Sequence, residues 1–221
     1  MAAGLDRWLR LPGRGASLCL LALALAAPAH SGPTLDRIKT RGMLRCGVSE
    51  GIPGFSQQDA TGRWQGFDAD ICRAVAAAAL GDGEQVEFVP LRASTRFPAL
   101  QAGRIDLLVR NTSWTFTREA LLGIEFPVVI FYDGQSFMVP SQSQVTEPTA
   151  LAGATICVEK GTTHERRLRD FFDRSQLAVT PLVLDSAREA MDAFYAGRCS
   201  AYSSDASQLA AARSIAPGGK G

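Results

Sequence analysis

The sequence predicts an α/β protein built on parallel, doubly wound sheets. Short apolar runs alternate along the chain with segments of helical periodicity, which is typical of parallel strands joined by helical crossovers. Two apolar runs, 105–109 and 154–158, are followed at once by hydroxyl-bearing side chains. Ligands of open α/β sheets bind outside the carboxyl ends of the strands, so both places are candidate binding sites.

The elements follow one another in a simple order. Asp68 is expected to cap the first long helix and Gly81 to end it. Leu168, Phe171 and Phe172 have the i, i+3, i+4 spacing of a helix with one apolar face. The predicted strands are 43–48, 85–90, 105–109, 155–158, 179–183 and 201–203. The predicted helices are 68–80, 94–101, 162–172, 186–196 and 206–213, with a small hairpin around 59–62.

Residues 111–118 combine an amide, several hydroxyls and Arg118 after a predicted strand. Arginine binds a planar anion bidentately, while hydroxyl and backbone N–H groups satisfy its remaining lone pairs. This loop therefore predicts a site for a small carboxylate. The alternative is a hydroxylated loop that caps the next helix and leaves its arginine solvated.

The second candidate site begins at Lys160-Gly161-Thr162, where a strand turns into a helix. Gly161 permits a tight turn, and Thr162 can cap a helix whose first free N–H groups attract an anion. Asp205 ends a later short strand and is either a solvated cap or the partner of an ammonium group. A cation and an anion at strand ends suit a zwitterionic ligand.

Residues 1–29 are predicted to be a secretory signal peptide. Three arginines precede an uncharged, Leu- and Ala-rich stretch that is too short to span a membrane. Ala27-Pro28-Ala29 is a candidate cleavage site. Cys19 lies inside the apolar stretch rather than at its end, which argues against a lipoprotein.

The charge balance and the cysteine content indicate which partners and which kinds of site to expect. The sequence has 23 basic and 22 acidic residues, of which the predicted signal peptide holds three basic and one acidic. The remaining 20 basic and 21 acidic residues nearly balance, so no nucleic-acid or anionic-membrane partner is indicated. Four cysteines also remain, which favours disulfides in an exported protein but leaves three connectivities, or four buried thiols. A metal site is not expected, because no CxxC spacing occurs and the histidines are His30 and His164.

The chain resembles the substrate-binding proteins of polar amino-acid ABC transporters, solute-binding protein family 3, and within it the general L-amino-acid binders. The resemblance runs from residue 34 to about residue 213. It rests on the order and spacing of several short motifs rather than on any one of them. These are Leu35-Asp36-Arg37-Ile38-Lys39 with Gly42, Cys46-Gly47-Val48, Gly66-Phe67-Asp68-Ala69-Asp70-Ile71-Cys72-Arg73, Arg96-Phe97-Pro98-Ala99-Leu100, Asp106, residues 111–118, Tyr132-Asp133-Gly134-Gln135, Gly161-Thr162-Thr163 and Gly197-Arg198-Cys199.

This resemblance implies the two-lobe fold of a type II periplasmic binding protein. Lobe 1 is expected at 34–132, lobe 2 at 133–213, and a polar tail at 214–221. In such proteins the chain returns to lobe 1 after lobe 2, and here that C-terminal return is expected to be missing. The cysteines then group by lobe, Cys46 with Cys72 and Cys157 with Cys199.

The resemblance also implies roles for individual residues. Arg118 is expected to anchor the ligand's α-carboxylate with help from the Ser113 hydroxyl, and Thr162 to contact the same group from lobe 2. Asn111 and Asp205 are expected to hold the α-ammonium.

The ligand side chain is harder to assign. Phe55 is expected either near the ligand or in the core under its loop, and Trp114 either in the pocket wall or behind it. Ser49 or Glu50 is a candidate for reading the side chain.

The function implied is a monomeric, periplasmic component that carries free L-amino acids to ABC permease membrane subunits, without a cofactor and without enzymatic activity. Two alternatives remain. One is a periplasmic enzyme similar to cyclohexadienyl dehydratases, with Glu50 as proton donor. The other is a nonfunctional truncated fragment.

Overall fold

The computed structural model describes residues 32–216 of the chain. The predicted signal peptide, with Cys19 and its cleavage site, and the last five residues of the predicted tail lie outside this range. Among the described residues, no helix is both long and apolar enough to cross a membrane.

Lobe 1 is built on a parallel sheet whose central strand is the first in the sequence. The strands are β1 (Leu44–Val48), β4 (Val86–Pro90) and β5 (Leu107–Leu108), in the order β4–β1–β5. A hairpin of β2 (Gln57–Gln58) and β3 (Trp64–Gln65) lies where one was predicted. The helices are α1 (Pro33–Arg41), α2 (Phe67–Leu80) and α3 (Arg96–Gln101). Apolar residues of β1 and α2 form the core, among them Leu44, Val48 and Ala76.

Lobe 2 contains a four-stranded sheet with helices packed on it. Its strands are β6 (Gln135–Met138), β7 (Thr155–Glu159), β8 (Thr180–Leu184) and β9 (Ala201–Asp205), in the order β6–β9–β7–β8. The helices are α4 (Thr163–Arg174), α5 (Ala187–Tyr195) and α6 (Ala206–Ser214). Leu168 and Phe172 of α4 are fully buried, whereas Phe171 is partly exposed.

The expectation of entirely parallel sheets is wrong for lobe 2, because β6 runs antiparallel to β9. β6 is the first strand of lobe 2 and lies at the edge of its sheet, and no helical crossover from another strand of that sheet precedes it. Its polar start, Gln135-Ser136, also lacks the apolar pattern that marked the other strands. Three helical segments were not predicted either: α1, a π-helix at Thr117–Leu121 and a 3₁₀ helix at Pro148–Leu151.

The expected helix cap at Asp68 is also wrong. The N-cap of α2 is Gly66, and the first N–H groups of the helix donate to the carbonyls of Gly54 and Phe55. Backbone therefore satisfies these donors, and the Asp68 side chain turns inward to accept a hydrogen bond from Ser56 Oγ at 3.3 Å. Only glycine fits at position 66, where φ is +109° and a Cβ would lie 2.6 Å from the Phe55 oxygen.

Each lobe contains one disulfide that ties its central strand to a neighbouring element. Cys46 of β1 is bonded to Cys72 of α2, and Cys157 of β7 to Cys199, which lies just before β9. The loops they close span 26 and 42 residues. In the chain-entropy model each bridge contributes about 3–4 kcal/mol to the free energy of unfolding.

We therefore expect residues 30–221, purified without reductant, to release no titratable thiol in denaturant, and reduction to lower their melting temperature. Thiol titration and thermal unfolding with and without reductant check this. Peptide mapping supplies the control, because a bridge that joins the two lobes would contradict the assignment.

Candidate functional site

Side chains from the carboxyl ends of strands in both lobes meet at the interface between the lobes. Asn111 follows β5 of lobe 1, and its Nδ2 donates to Asp205 Oδ2 at 3.1 Å and to Gln208 Oε1 at 2.8 Å. Asp205 ends β9, and Gln208 lies in the first turn of α6. The cross-lobe contact thus joins two residues that the sequence marked separately as ammonium ligands.

A second cross-lobe contact joins hydroxyls. Ser113 Oγ lies 3.3 Å from Thr163 Oγ1, in the first turn of α4. The neighbouring Thr162 is the N-cap of that helix, as predicted, and its Oγ1 accepts from Glu165 N and donates to Glu159 O. The Thr162 hydroxyl is thus engaged within its own lobe, and it is Thr163 that faces Ser113.

Arg118 is buried beside these hydroxyls. Its Nη1 donates to the Ser113 carbonyl at 2.7 Å, and its guanidinium lies 5.1 Å from the centre of the Phe97 ring. Burial, reinforced by the positive charges of Arg166 and Arg110, lowers the pKa of Arg118 to about 10. The group therefore stays protonated at neutral pH, as an anion-binding side chain must.

Asp205 is the matching anion. Burial alone would raise its pKa, but hydrogen bonds from His164 and Asn111 outweigh burial, so its pKa lies below the usual value. His164 Nε2 is 2.9 Å from Asp205 Oδ1. The carboxylate is therefore ionised at neutral pH and oriented from two sides.

A buried ion pair also links the lobes. Arg110 Nη2 of lobe 1 lies 3.8 Å from Glu159 Oε1 at the end of β7, and the two side chains are 1% and 3% exposed. Arg110 also donates to the Leu91 carbonyl at 2.6 Å and to Asn111 Oδ1 at 3.1 and 3.2 Å. Burial lowers the pKa of Arg110, and the Glu159 carboxylate opposes that shift.

Behind the interface, lobe 1 holds a chain of buried polar groups. Ser49 Oγ is 2.6 Å from Ser56 Oγ, which in turn donates to Asp68. Burial raises the pKa of Asp68 to about 6, while the Ser56 hydrogen bond and the charge of Arg110 limit the rise. The Ser49 hydroxyl is therefore buried and hydrogen-bonded within its own lobe.

Other predicted residues lie outside these contacts. Phe55 packs its ring edge-to-face on Phe67 and Phe131, at centroid distances of 6.4 and 5.4 Å. Trp114 is 56% exposed, and its Nε1 donates to Glu119. Glu50 is partly exposed and forms an ion pair with Arg92 at 3.6 Å.

Sequence reasoning missed several residues of this cluster. Thr163 and His164 come directly after the predicted site residue Thr162, and Arg110 directly precedes the predicted site residue Asn111. Glu159 and Arg96 carried a weaker signal, because a charged residue at a strand end or helix start is usually solvated. Among residues 32–216, no group of three or more His, Cys, Asp or Glu side chains could hold a metal ion.

Comparison with known proteins identifies the family. The profile of the bacterial extracellular solute-binding proteins, family 3, matches residues 44–206. The chain belongs to this family. Its architecture is the two-lobe fold of type II periplasmic binding proteins.

Individual family members are similar over most of this chain. The glutamate/glutamine/aspartate/asparagine-binding protein BztA of Rhodobacter capsulatus is 48% identical over 194 residues, 88% of this chain and 57% of that protein. The general L-amino acid-binding periplasmic protein AapJ of Rhizobium johnstonii is 46% identical over 187 residues, which are 85% of this chain and 55% of that protein. The chain thus spans little more than half the length of these curated relatives.

A solved structure supports the same assignment. An ABC transporter periplasmic binding protein from Brucella ovis, with glutathione bound, matches with a TM-score of 0.79 and 43% identity. The match covers 83% of this chain and 58% of that protein.

Gly161 of lobe 2 lies directly against Ser94 of lobe 1. A methyl group there would lie 2.9 Å from Ser94 Cα of lobe 1, and φ is +76°. We expect Gly161→Ala to hold the lobes apart and to increase the radius of gyration measured by small-angle scattering. Gly197→Ala is the control, because φ is +70° there and no atom lies within 4 Å of the added Cβ. Equal radii for the two variants would contradict the prediction.

Asp68 predicts a pH-dependent stability. Its folded pKa of about 6 lies above the usual 3.8, so the protonated carboxyl contributes stability that is complete below pH 3.8. That contribution is lost as the pH rises through 6, at up to about 1.4 kcal/mol per pH unit. Because asparagine is uncharged at every pH, we expect Asp68→Asn to lose no stability over this range. Above pH 6 this variant should therefore be more stable than the unmodified chain.

Urea denaturation between pH 4 and pH 8 measures this difference. Asp70→Asn is the control on the same helix, since the Asp70 side chain is exposed. A difference between Asp68→Asn and the unmodified chain that stays constant across this pH range would refute the assignment.

Proposed function

We propose that the chain is the ligand-binding region of a periplasmic component that delivers L-amino acids to the membrane subunits of an ABC permease. The observation that carries the proposal is the pair of opposite charges, Arg118 and Asp205, brought into one cluster by different lobes. The relatives named above as amino-acid-binding proteins support it. An N-terminal signal peptide at 1–29 would export the chain, which acts as a monomer.

The groups in the cluster match the two ends of an α-amino acid. Arg118, with the Ser113 and Thr163 hydroxyls, offers donors to the α-carboxylate. Asp205 offers acceptor oxygens to the α-ammonium, in the position that the Asn111 amide now contacts. Because these groups come from both lobes, the ligand stabilises the closed form over the open one and shifts the population towards it.

Binding without catalysis is the reading that this geometry favours. Glu50, the candidate proton donor of a dehydratase, is ion-paired with Arg92 and partly exposed. A catalytic acid must instead be free to reach the leaving group of the substrate. We expect purified protein to leave arogenate and prephenate unchanged; turnover of either would favour the enzyme.

The anchoring roles are tested by calorimetry with glutamine, glutamate and alanine. We expect Arg118→Ala to weaken all three, because truncation leaves a carboxylate unpaired, at a cost of about 2–5 kcal/mol. Arg188→Ala is the control, since that arginine lies on the surface of α5 with its side chain 75% exposed. Asp205→Asn should weaken the amino acids more than their deaminated analogues. Affinity within a few-fold of the unmodified chain in Arg118→Ala would contradict the proposal.

A further inference from the structure

His164 lies in the first turn of α4 and contacts the carboxylate of Asp205 from within lobe 2. Its side chain is 6% exposed, and its Nε2 lies 2.9 Å from Asp205 Oδ1. The backbone of His164 is held in place as well, because its carbonyl accepts a hydrogen bond from Gln135 Nε2 at 3.2 Å. The ring is thus fixed against the carboxylate, and a change in its charge acts directly on Asp205.

The hydrogen bond to Asp205 determines which nitrogen of the ring carries a proton. The carboxylate is ionised at neutral pH and can only accept, so Nε2 of His164 is the donor. In the neutral ring Nδ1 then has an unprotonated lone pair, and no hydrogen bond among residues 32–216 engages it. Histidine is the side chain whose ordinary change of charge falls between about pH 5 and pH 8. A proton added at Nδ1 converts the neutral donor into an imidazolium in contact with the carboxylate.

Other charged groups surround this pair. Helix α4 packs on β7, β8 and β9, whose titratable side chains besides Asp205 are Glu159 and Tyr202. Burial raises the pKa of Tyr202, so that group stays neutral, whereas the Glu159 and Glu165 carboxylates favour a cation on the ring. A cation is disfavoured by the positive end of the helix dipole and by the nearby arginines, which are Arg166 and Arg167 of α4 and Arg96, Arg110 and Arg118 of lobe 1. Of all these groups, Asp205 is the one hydrogen-bonded to the ring, so it is the group with which a charged ring pairs.

We propose that His164 is a positioning residue that couples ligand binding to a proton. When uncharged, it holds Oδ1 of Asp205 and leaves the negative charge of the carboxylate to the ligand's α-ammonium. When protonated at Nδ1, it pairs Asp205 with a fixed cation, and the ammonium then meets a neutralised carboxylate beside a like charge. This inference rests on the proposed function, which assigns the α-ammonium to Asp205.

Ligand binding and protonation of His164 therefore oppose each other. When the ligand binds to the protonated protein, the Nδ1 proton leaves to solvent, while the Nε2 proton stays in its hydrogen bond with Asp205. By linkage, a ligand that displaces one proton loses up to about tenfold in affinity for each pH unit over which the ring is protonated. The protein is thus expected to bind amino acids at neutral pH and to release them in acid.

Calorimetry of residues 30–221 with glutamine and alanine tests the coupling, because neither side chain titrates between pH 5 and pH 8. We expect the affinity to be about tenfold lower at pH 5 than at pH 8. Binding at pH 6, measured in two buffers of unequal ionisation enthalpy, should release up to one proton per ligand. Both readouts are compared within one protein, so a merely structural role of His164 would not produce them.

His164→Gln is the decisive variant, because its amide keeps an N–H donor for Asp205 but does not titrate. We expect its affinity to be the same at pH 5 and pH 8, and the release of a proton to be lost. His30→Gln is the matched control, since it replaces the other histidine of the sequence and should keep both effects. Asp68, whose pKa is about 6, is present in both variants and so does not explain a difference between them.

Each outcome decides a separate point. An equal loss of affinity in acid for His164→Gln and His30→Gln would overturn the coupling and leave the proposed function intact, as would a constant affinity in the unmodified chain. Failure of the unmodified chain to bind glutamine, glutamate or alanine at pH 8 would overturn the proposed function and the coupling with it. If thermal unfolding shows that His164→Gln does not fold, His164→Asn replaces it, with the same expected loss of pH dependence.

Discussion

The burial of opposite charges where the two lobes meet is the constraint on which the rest of this structure depends. Arg110 and Glu159 are each almost fully buried, and they approach from different sheets. Removing such charges from water costs several kcal/mol per ion, and their mutual attraction repays this only when the geometry is good. The lobes can therefore meet closely only where each charge finds a partner, either in the other lobe or in a ligand.

The rigidity of each lobe makes this matching possible. The central strands β1 and β7 are each tied by a disulfide and lie in the buried core of their sheet. Asn111 and Asp205 follow or end strands that pair directly with these central strands. Side chains held on rigid elements keep their geometry, so the groups that meet between the lobes are already oriented within each lobe.

The candidate site could be predicted in part because polar residues directly after an apolar strand lie at a predictable edge of the sheet. This is how Asn111, Ser113 and Asp205 were found, and the structure places all three at the interface. Arg96 and Glu159 could not be found in this way. Both side chains are buried, and each has polar atoms without a hydrogen-bond partner among the described residues. These are properties of the assembled lobes and not of local sequence.

The sequence by itself determined the alternation of strands and helices and the cap at Thr162, because these depend on periodicity and local backbone hydrogen bonds. Tertiary structure decided the antiparallel entry of β6 and the inward turn of Asp68. It also made Thr163 rather than Thr162 the residue that faces Ser113. Each of these depends on which distant group already satisfies a donor or acceptor. That information arises only when residues far apart in the chain pack together.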